Sequence, residues 1–197
     1  MANEWQLQTH QINAYCYYSG VFDDDMVNSI IEIGDALETG PAQVGGTLTD
    51  AGGPNEKIRK TEIGWIPTTA ENAWLFRKLT DIIVQSNTQW FGFDLNHIEN
   101  LQYSVYHEGD FYDKHVDHHF QGPGQYPRKL SFTMQLTDPS EYEGGETMLI
   151  TSQEPFAIPK EKGTITFFPS YTLHEVKPIT KGTRKALVGW IHGPRWK

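Results

Sequence analysis

His115-Val116-Asp117 sets an imidazole and a carboxylate two residues apart, and His174 follows 57 residues after the aspartate. Two imidazoles and one carboxylate can hold a divalent metal such as iron on one face and leave the opposite face open. Thiolate has no part in such a site, and Cys16 is the chain's only cysteine. Ten residues beyond His174 stands Arg184. An arginine at a fixed offset from the last ligand can grip the carboxylate of a co-substrate through parallel N–H donors. These residue types in this order suit oxygen activation. Alone, an H-x-D pair resembles many surface polar pairs, so its meaning depends on the elements that position it.

Side chains on a strand alternate faces. A strand over Tyr112 to His118 therefore points His115 and Asp117 the same way and Val116 into the opposite layer. The third ligand must come from a strand folded back alongside, and His174 lies in a suitable apolar stretch, Phe167 to Val176. Arg184 falls on the next strand. A buried arginine is costly unless paired, so it needs a protein carboxylate or an anionic ligand, and Trp190 further along could wall the pocket. Ser131, Thr133 and Gln135 alternate with Leu130, Phe132 and Met134, which lets one set face a pocket and the other fill an apolar layer.

Other histidines are weaker candidates. His118 faces away from the pair by alternation, and His119 lies beyond Asp117. His192 rivals His174 as the distal ligand, but choosing it leaves Arg184 upstream without a role. His10, His97 and His107 have no metal-like spacing.

The wider pattern supplies strands in number. Leu101 to Tyr106, Tyr112 to His118, Lys129 to Thr137, Thr147 to Ile150, Thr164 to Phe168, Leu173 to Val176 and Lys185 to His192 are short runs separated by glycine and proline turns. Such spacing predicts a sandwich or jelly roll. Two helices precede it, one from Asp23-Asp24-Asp25 to Leu37 and one from a Thr69 cap towards Phe91. Between them, Gly40 to Asn55 is rich in glycine and leads into a strand over Lys57 to Trp65. That loop is either an active-site flap or a tolerated surface insertion.

The chain has 197 residues, 38% of them apolar and 21% charged, with six Trp, nine Tyr and ten Phe. This suits one well-packed, β-rich domain. The expected division is a helical and strand support over 1–97, with a flexible loop at 40–56, and a jelly-roll core over 98–193. A net charge of −9 argues against a nucleic-acid partner. A polar start, no long apolar run and no cysteine pair predict a cytoplasmic protein without membrane contact.

Five blocks in order carry a resemblance: Tyr106 to Asp117, Arg128 to Ser131, Glu141 to Thr147, Gly163 to Ser170, and His174 to Trp190. Together they resemble the catalytic core of the Fe(II)/2-oxoglutarate-dependent dioxygenases, on the prolyl 4-hydroxylase-like branch. The resemblance implies a double-stranded β-helix core with flanking helices. It implies iron on His115, Asp117 and His174, and a salt bridge from Arg184 to the distal carboxylate of 2-oxoglutarate. Tyr106, Ser131, Thr133 and Trp190 would contact that co-substrate. Tyr112 and Gln135 would line the pocket, while Arg59 and Trp65 match a strand that follows the loop closing over substrate. The implied reaction consumes O2 and 2-oxoglutarate and releases succinate and CO2, with ascorbate as a reductant. Some relatives of the wider superfamily halogenate and lack the metal carboxylate, so Asp117 favours hydroxylation. A peptidyl proline is the first expected substrate, in a peptide or protein. A free amino acid or other small molecule is the alternative, and a non-catalytic jelly-roll binding protein is the reading from another class.

Overall fold

The computed structural model describes residues 12–43, 55–118 and 126–195. The predicted flexible loop lies outside the described residues over 44–54, as do His10, His119 and the rest of 119–125. In chain order the elements are β1 (Cys16–Tyr18), α1 (Asp24–Asp35), β2 (Gly40–Pro41), β3 (Arg59–Lys60), β4 (Glu62–Ile66) and α2 (Ala73–Ser86). α2 runs on into a π-helical turn, Asn87–Phe91. Then follow β5 (His97–Ile98), β6 (Leu101–Tyr106), β7 (Phe111–His115), β8 (Arg128–Gln135), β9 (Tyr142–Gly144) and β10 (Thr147–Ile150). The last are β11 (Phe156–Ala157), β12 (Ile165–Pro169), β13 (Leu173–Val176), β14 (Ile179–Gly182) and β15 (Arg184–His192).

The large sheet runs β1-β12-β8-β15-β6-β4-β2, with β5 also paired to β15, and the smaller one β11-β10-β13-β7-β3. From β6 onward the chain alternates between them: β6, β8, β12 and β15 enter the large sheet, and β7, β10 and β13 the small one. That alternation is the double-stranded β-helix. β9 and β14 form a separate two-stranded ribbon.

Two-residue periodicity explains how one sheet serves both core and cavity. Leu130, Phe132 and Met134 of β8 are fully buried, as are Leu101 and Tyr103 of β6, Leu187 of β15, and Ile165 and Phe167 of β12. They share one cluster with Val27 and Ile30 of α1 and Leu75, Leu79, Ile82 and Ile83 of α2. The helices thus cover the outer face of the large sheet, and each such side chain contributes about 1.5–3 kcal/mol of burial. The inner face carries Thr133, Tyr106, Ala186, Val188 and Trp190, all of which line a cavity between the sheets.

Three local expectations need correction. Asp23 caps α1, its carboxylate accepting from Met26 N at 2.9 Å, but α2 starts at an Asn72 cap rather than Thr69. Lys57 to Trp65 is two strands in different sheets, because β3 pairs with β7 whereas β4 pairs with β6. Thr61 marks the crossing, and its hydroxyl donates to Val105 O at 2.8 Å. β7 ends at His115, so Asp117 is not on that strand. Among the described residues no helix is long and apolar enough to cross a membrane.

Gly189, midway along β15, stands where a Cβ would meet Phe132 ring atoms at 2.4 and 2.5 Å and Leu101 at 3.1 Å. Gly189→Ala is expected to cost about 1–3 kcal/mol, the range for overpacked cores. Thermal unfolding checks this, and an unchanged melting temperature would refute it.

Candidate active site

β7 and β13 are paired so that His115 and His174 are direct cross-strand partners. Their rings lie 4.1 Å apart between centroids. Each Nδ1 faces a backbone carbonyl two residues earlier, Asp113 O at 2.8 Å for His115 and Thr172 O at 2.9 Å for His174. Those acceptors place a proton on each Nδ1 and leave each Nε2 lone pair free for a metal. Asp117 comes between them from just past the strand, where its backbone N–H and that of His118 both donate to Ser170 O. Its carboxylate oxygens lie 3.8 Å from His115 Nε2 and 3.6 Å from His174 Nε2. The three ligand atoms fall within 4.8 Å of one another, a cluster that could hold one metal ion.

The electrostatics suit a cation at that point. Burial, and next repulsion from His174, push the His115 imidazole down to about 3, so it is neutral at ordinary pH. Burial alone would raise Asp117, but His174, His115, Trp190 and Ser131 outweigh it and hold the carboxylate below its usual range. Tyr112 stacks on His115 at 3.4 Å and 12°, and burial pushes its phenol up to about 12.

Arg184, the largest fully buried side chain, enters the cavity from the large sheet opposite Tyr106, its cross-strand partner. Its Nη2 donates to Gln135 Oε1 at 3.0 Å and Thr147 Oγ1 at 3.1 Å, both neutral, while Nε has no partner. No carboxylate neutralises this guanidinium among the described residues. Gly145, at φ +63°, keeps the approach open, since a Cβ there would come within 3.1 Å of Arg184 Cδ. The chemistry of an unpaired, buried guanidinium is that of an anion receptor.

The remaining predicted residues divide. Thr133, Trp190, Tyr106, Tyr112, Arg59 and Trp65 all line the cavity, whose volume is about 550 Å³. Ser131 does not reach it: its hydroxyl pairs with Ser170 Oγ at 2.9 Å, and it supports Asp117. Gln135 also acts from behind, through Arg184. His118 Nδ1 is bonded to Arg128 O and stands outside the metal cluster.

Reading the sequence alone missed Thr147 as a partner of Arg184 and missed Arg128. The Arg128 guanidinium lies 3.8 Å over the Trp190 ring. It donates from Nε and Nη2 to Glu99 at 2.5 and 2.7 Å. Glu99 also bonds His192 Nε2, and His192 stacks on His97. This network, not a metal, occupies His192. Burial would raise Glu99, yet the hydrogen bonds from His192 and Arg128 bring it down from 4.5 to about 2.

A depressed carboxylate stabilises the fold above its unfolded pKa, and the contribution is lost as pH falls through its folded value. Glu99 should therefore stabilise the protein above about pH 4.5 and lose that effect towards pH 2. Glu99→Gln is expected to flatten this acid limb. Denaturant titrations at several pH values check it, and parallel profiles for the two proteins would refute it.

Residues 101–192 match the family described as the 2OG-Fe(II) oxygenase superfamily. Over that stretch the chain is similar to the 2OG-Fe(II) oxygenases. Ferrous iron, 2-oxoglutarate and O2 are what that family implies, and the donor set fits: imidazole, imidazole and carboxylate for iron, an unpaired arginine for the co-substrate. A PKHD-type hydroxylase of Gloeothece citriformis is 38% identical over 94 residues, which cover 48% of this chain and 43% of that protein. One of Prochlorococcus marinus is 42% identical over 94 residues, 48% of this chain and 42% of that one. The chain thus spans less than half the length of these curated relatives. Among solved structures, a Pseudomonas putida prolyl-4-hydroxylase superposes with TM-score 0.70 at 22% identity, over 93% of this chain and 94% of that one. A prolyl hydroxylase from Trichoplax adhaerens, in complex with a hypoxia inducible factor peptide fragment, gives 0.69 at 18% identity, over 92% and 84%. At these identities the likeness establishes the fold alone.

Proposed function

We propose that the protein is an Fe(II)- and 2-oxoglutarate-dependent dioxygenase that hydroxylates a prolyl residue of a peptide or protein. The observation that carries the reading is one cavity holding both a His-Asp-His cluster and an unpaired buried arginine. The hydroxylase names of the relatives, and a neighbour bound to a peptide, support the substrate class. Bound iron with 2-oxoglutarate and O2 would supply the oxidation, releasing succinate and CO2.

The chain's own residues orient and enclose. His115, Asp117 and His174 offer two neutral nitrogens and one anionic oxygen. Arg184 fixes the distal carboxylate of 2-oxoglutarate, held in its own place by Gln135 and Thr147. Tyr106 donates to the same co-substrate, with Thr133 and Trp190 walling it. Tyr112 keeps the His115 ring in position. Arg59 and Trp65 contact substrate, Arg59 from its buried place in the cavity wall and Trp65 from an exposed one where it tilts against Trp190 at 6.2 Å. Residues 1–97 support a core over 98–193 as one domain. Ascorbate serves as the reductant that keeps iron ferrous, and the cytoplasm is the site of action.

The second reading is a free amino acid or other small molecule as substrate. It is favoured by Arg59, a second buried arginine without an anionic partner among the described residues. The test is a mass-spectrometric search for a +16 Da product among proline-containing peptides, free amino acids and host lysate, with Asp117→Ala as control. A metal-dependent product absent from the control is expected. Failure to retain iron or to release succinate would leave a non-catalytic binding protein.

A further inference from the structure

Three arginines line the cavity, and they are treated differently by their surroundings. Arg128 is neutralised by Glu99. Arg184 is held by two neutral acceptors. Arg59 is 7% exposed and has no hydrogen-bond or ion-pair partner for its guanidinium among the described residues; its Nε is buried and unsatisfied. Its one side-chain contact of note is the face of Tyr112, 4.4 Å from the ring centroid. Tyr112 also stacks on His115, with ring centroids 3.4 Å apart. One aromatic ring therefore touches both Arg59 and the metal cluster.

A face-on aromatic contact returns only part of what water gives a guanidinium. It uses the flat face and leaves the N–H edges free. An edge with Nε unsatisfied is the geometry that takes a carboxylate by two parallel hydrogen bonds. Among the described residues the nearby acids do not fill it. Asp117 is committed to His115 and His174, and Asp110 is paired with Lys60 at 3.0 Å. Nor is this the place for the distal end of 2-oxoglutarate, because Arg184 enters from β15 of the large sheet and Arg59 from β3 of the small one.

We propose that Arg59 is a carboxylate subsite for the substrate, packed on the same aromatic ring as the metal cluster. The inference rests on the dioxygenase reading and sharpens it: the substrate carries an anionic carboxylate close to the carbon that reacts. That carboxylate belongs either to an acidic side chain next to the target residue or to the target's own terminus, as in a C-terminal residue or a free amino acid.

The test uses the full chain loaded anaerobically with ferrous iron and 2-oxoglutarate. Proline peptides are made in matched forms: C-terminal carboxylate or amide, and Asp or Asn beside the proline, with free proline and prolinamide as the smallest pair. Binding is read by tryptophan fluorescence, since Trp65 and Trp190 line the cavity, and turnover by succinate and the +16 Da product after oxygen is admitted. At least one carboxylate form is expected to bind about ten- to a hundred-fold more tightly than its neutral twin, the usual gain from a charge-assisted pair. The arm that shows the preference identifies the source of the carboxylate. Arg59→Gln should bring the ratio to about one and Arg59→Lys should keep part of it. Equal binding of charged and neutral forms, binding of none of the carboxylate forms, or an undiminished preference in Arg59→Gln would each overturn the subsite. A preference that survives without any succinate or oxidised product would instead overturn the dioxygenase reading and leave the subsite standing.

Discussion

Arg184→Met is expected to raise the melting temperature of the ligand-free protein and to abolish the further rise that 2-oxoglutarate gives the wild type. The two effects have one cause. A fully buried guanidinium with the neutral acceptors Gln135 and Thr147, and no carboxylate partner among the described residues, is an uncompensated charge in the ligand-free state. Replacing buried charged groups by an apolar side chain of similar length is often neutral or stabilising, by about 1–4 kcal/mol. The co-substrate reverses that balance in the wild type: at a hundred times its dissociation constant a ligand stabilises by about 2.7 kcal/mol. For a chain of this size such a gain is roughly 5–10 °C. Thermal shift with and without 2-oxoglutarate, in the presence of Mn(II) or Fe(II), checks both halves. A variant that still responds to 2-oxoglutarate like the wild type would remove Arg184 from the co-substrate site. Turnover should fall by on the order of a hundred-fold or more, as expected for loss of a desolvated charge-assisted pair.

Asp117→Asn is expected to cost the protein its iron while sparing the fold. The residue is 6% exposed, and its backbone is tied to Ser170 O independently of the carboxylate. An amide of the same shape can keep those backbone bonds but offers a weaker, neutral oxygen to a hard cation. Affinity for Fe(II) should fall by at least roughly a hundred-fold, more than the 10–100-fold typical of losing an outer partner of a ligand. Metal content after gel filtration, read beside the melting curve, separates the outcomes. Iron retained at wild-type occupancy would mean that the cluster is not the metal site.

How far the sequence could be read depends on whether a feature is local. Leu101–Tyr106, Thr147–Ile150 and Leu173–Val176 have the bounds expected from period-two patterning and flanking turns, because those signals lie within the strand itself. The facing of β8 was open until the helices were placed: nothing in Lys129 to Thr137 says which of two alternating sets meets α1 and α2. Asp117 reaches the ligand cluster, but not by strand alternation. The Ser170 carbonyl that captures it belongs to a segment more than fifty residues away. Thr147 and Gln135 around Arg184, and Glu99 beneath Arg128, were invisible for the same reason, being 37, 49 and 29 residues from their partners. Sheet pairing alone brings them together. The break of Lys57 to Trp65 at Thr61 was equally hidden, since both halves have strand-like composition.

That break has a mechanical meaning. Arg59 stands on one sheet and Trp65 on the other, and both line the cavity. Lys60 to Gly64 join them, and Thr61, the residue between the two strands, is anchored by its bond to Val105 O. With Thr61 the one residue between β3 and β4, the chain crosses from sheet to sheet without a loop. Length at Thr61 therefore couples the spacing of Arg59 and Trp65 to the spacing of the two sheets.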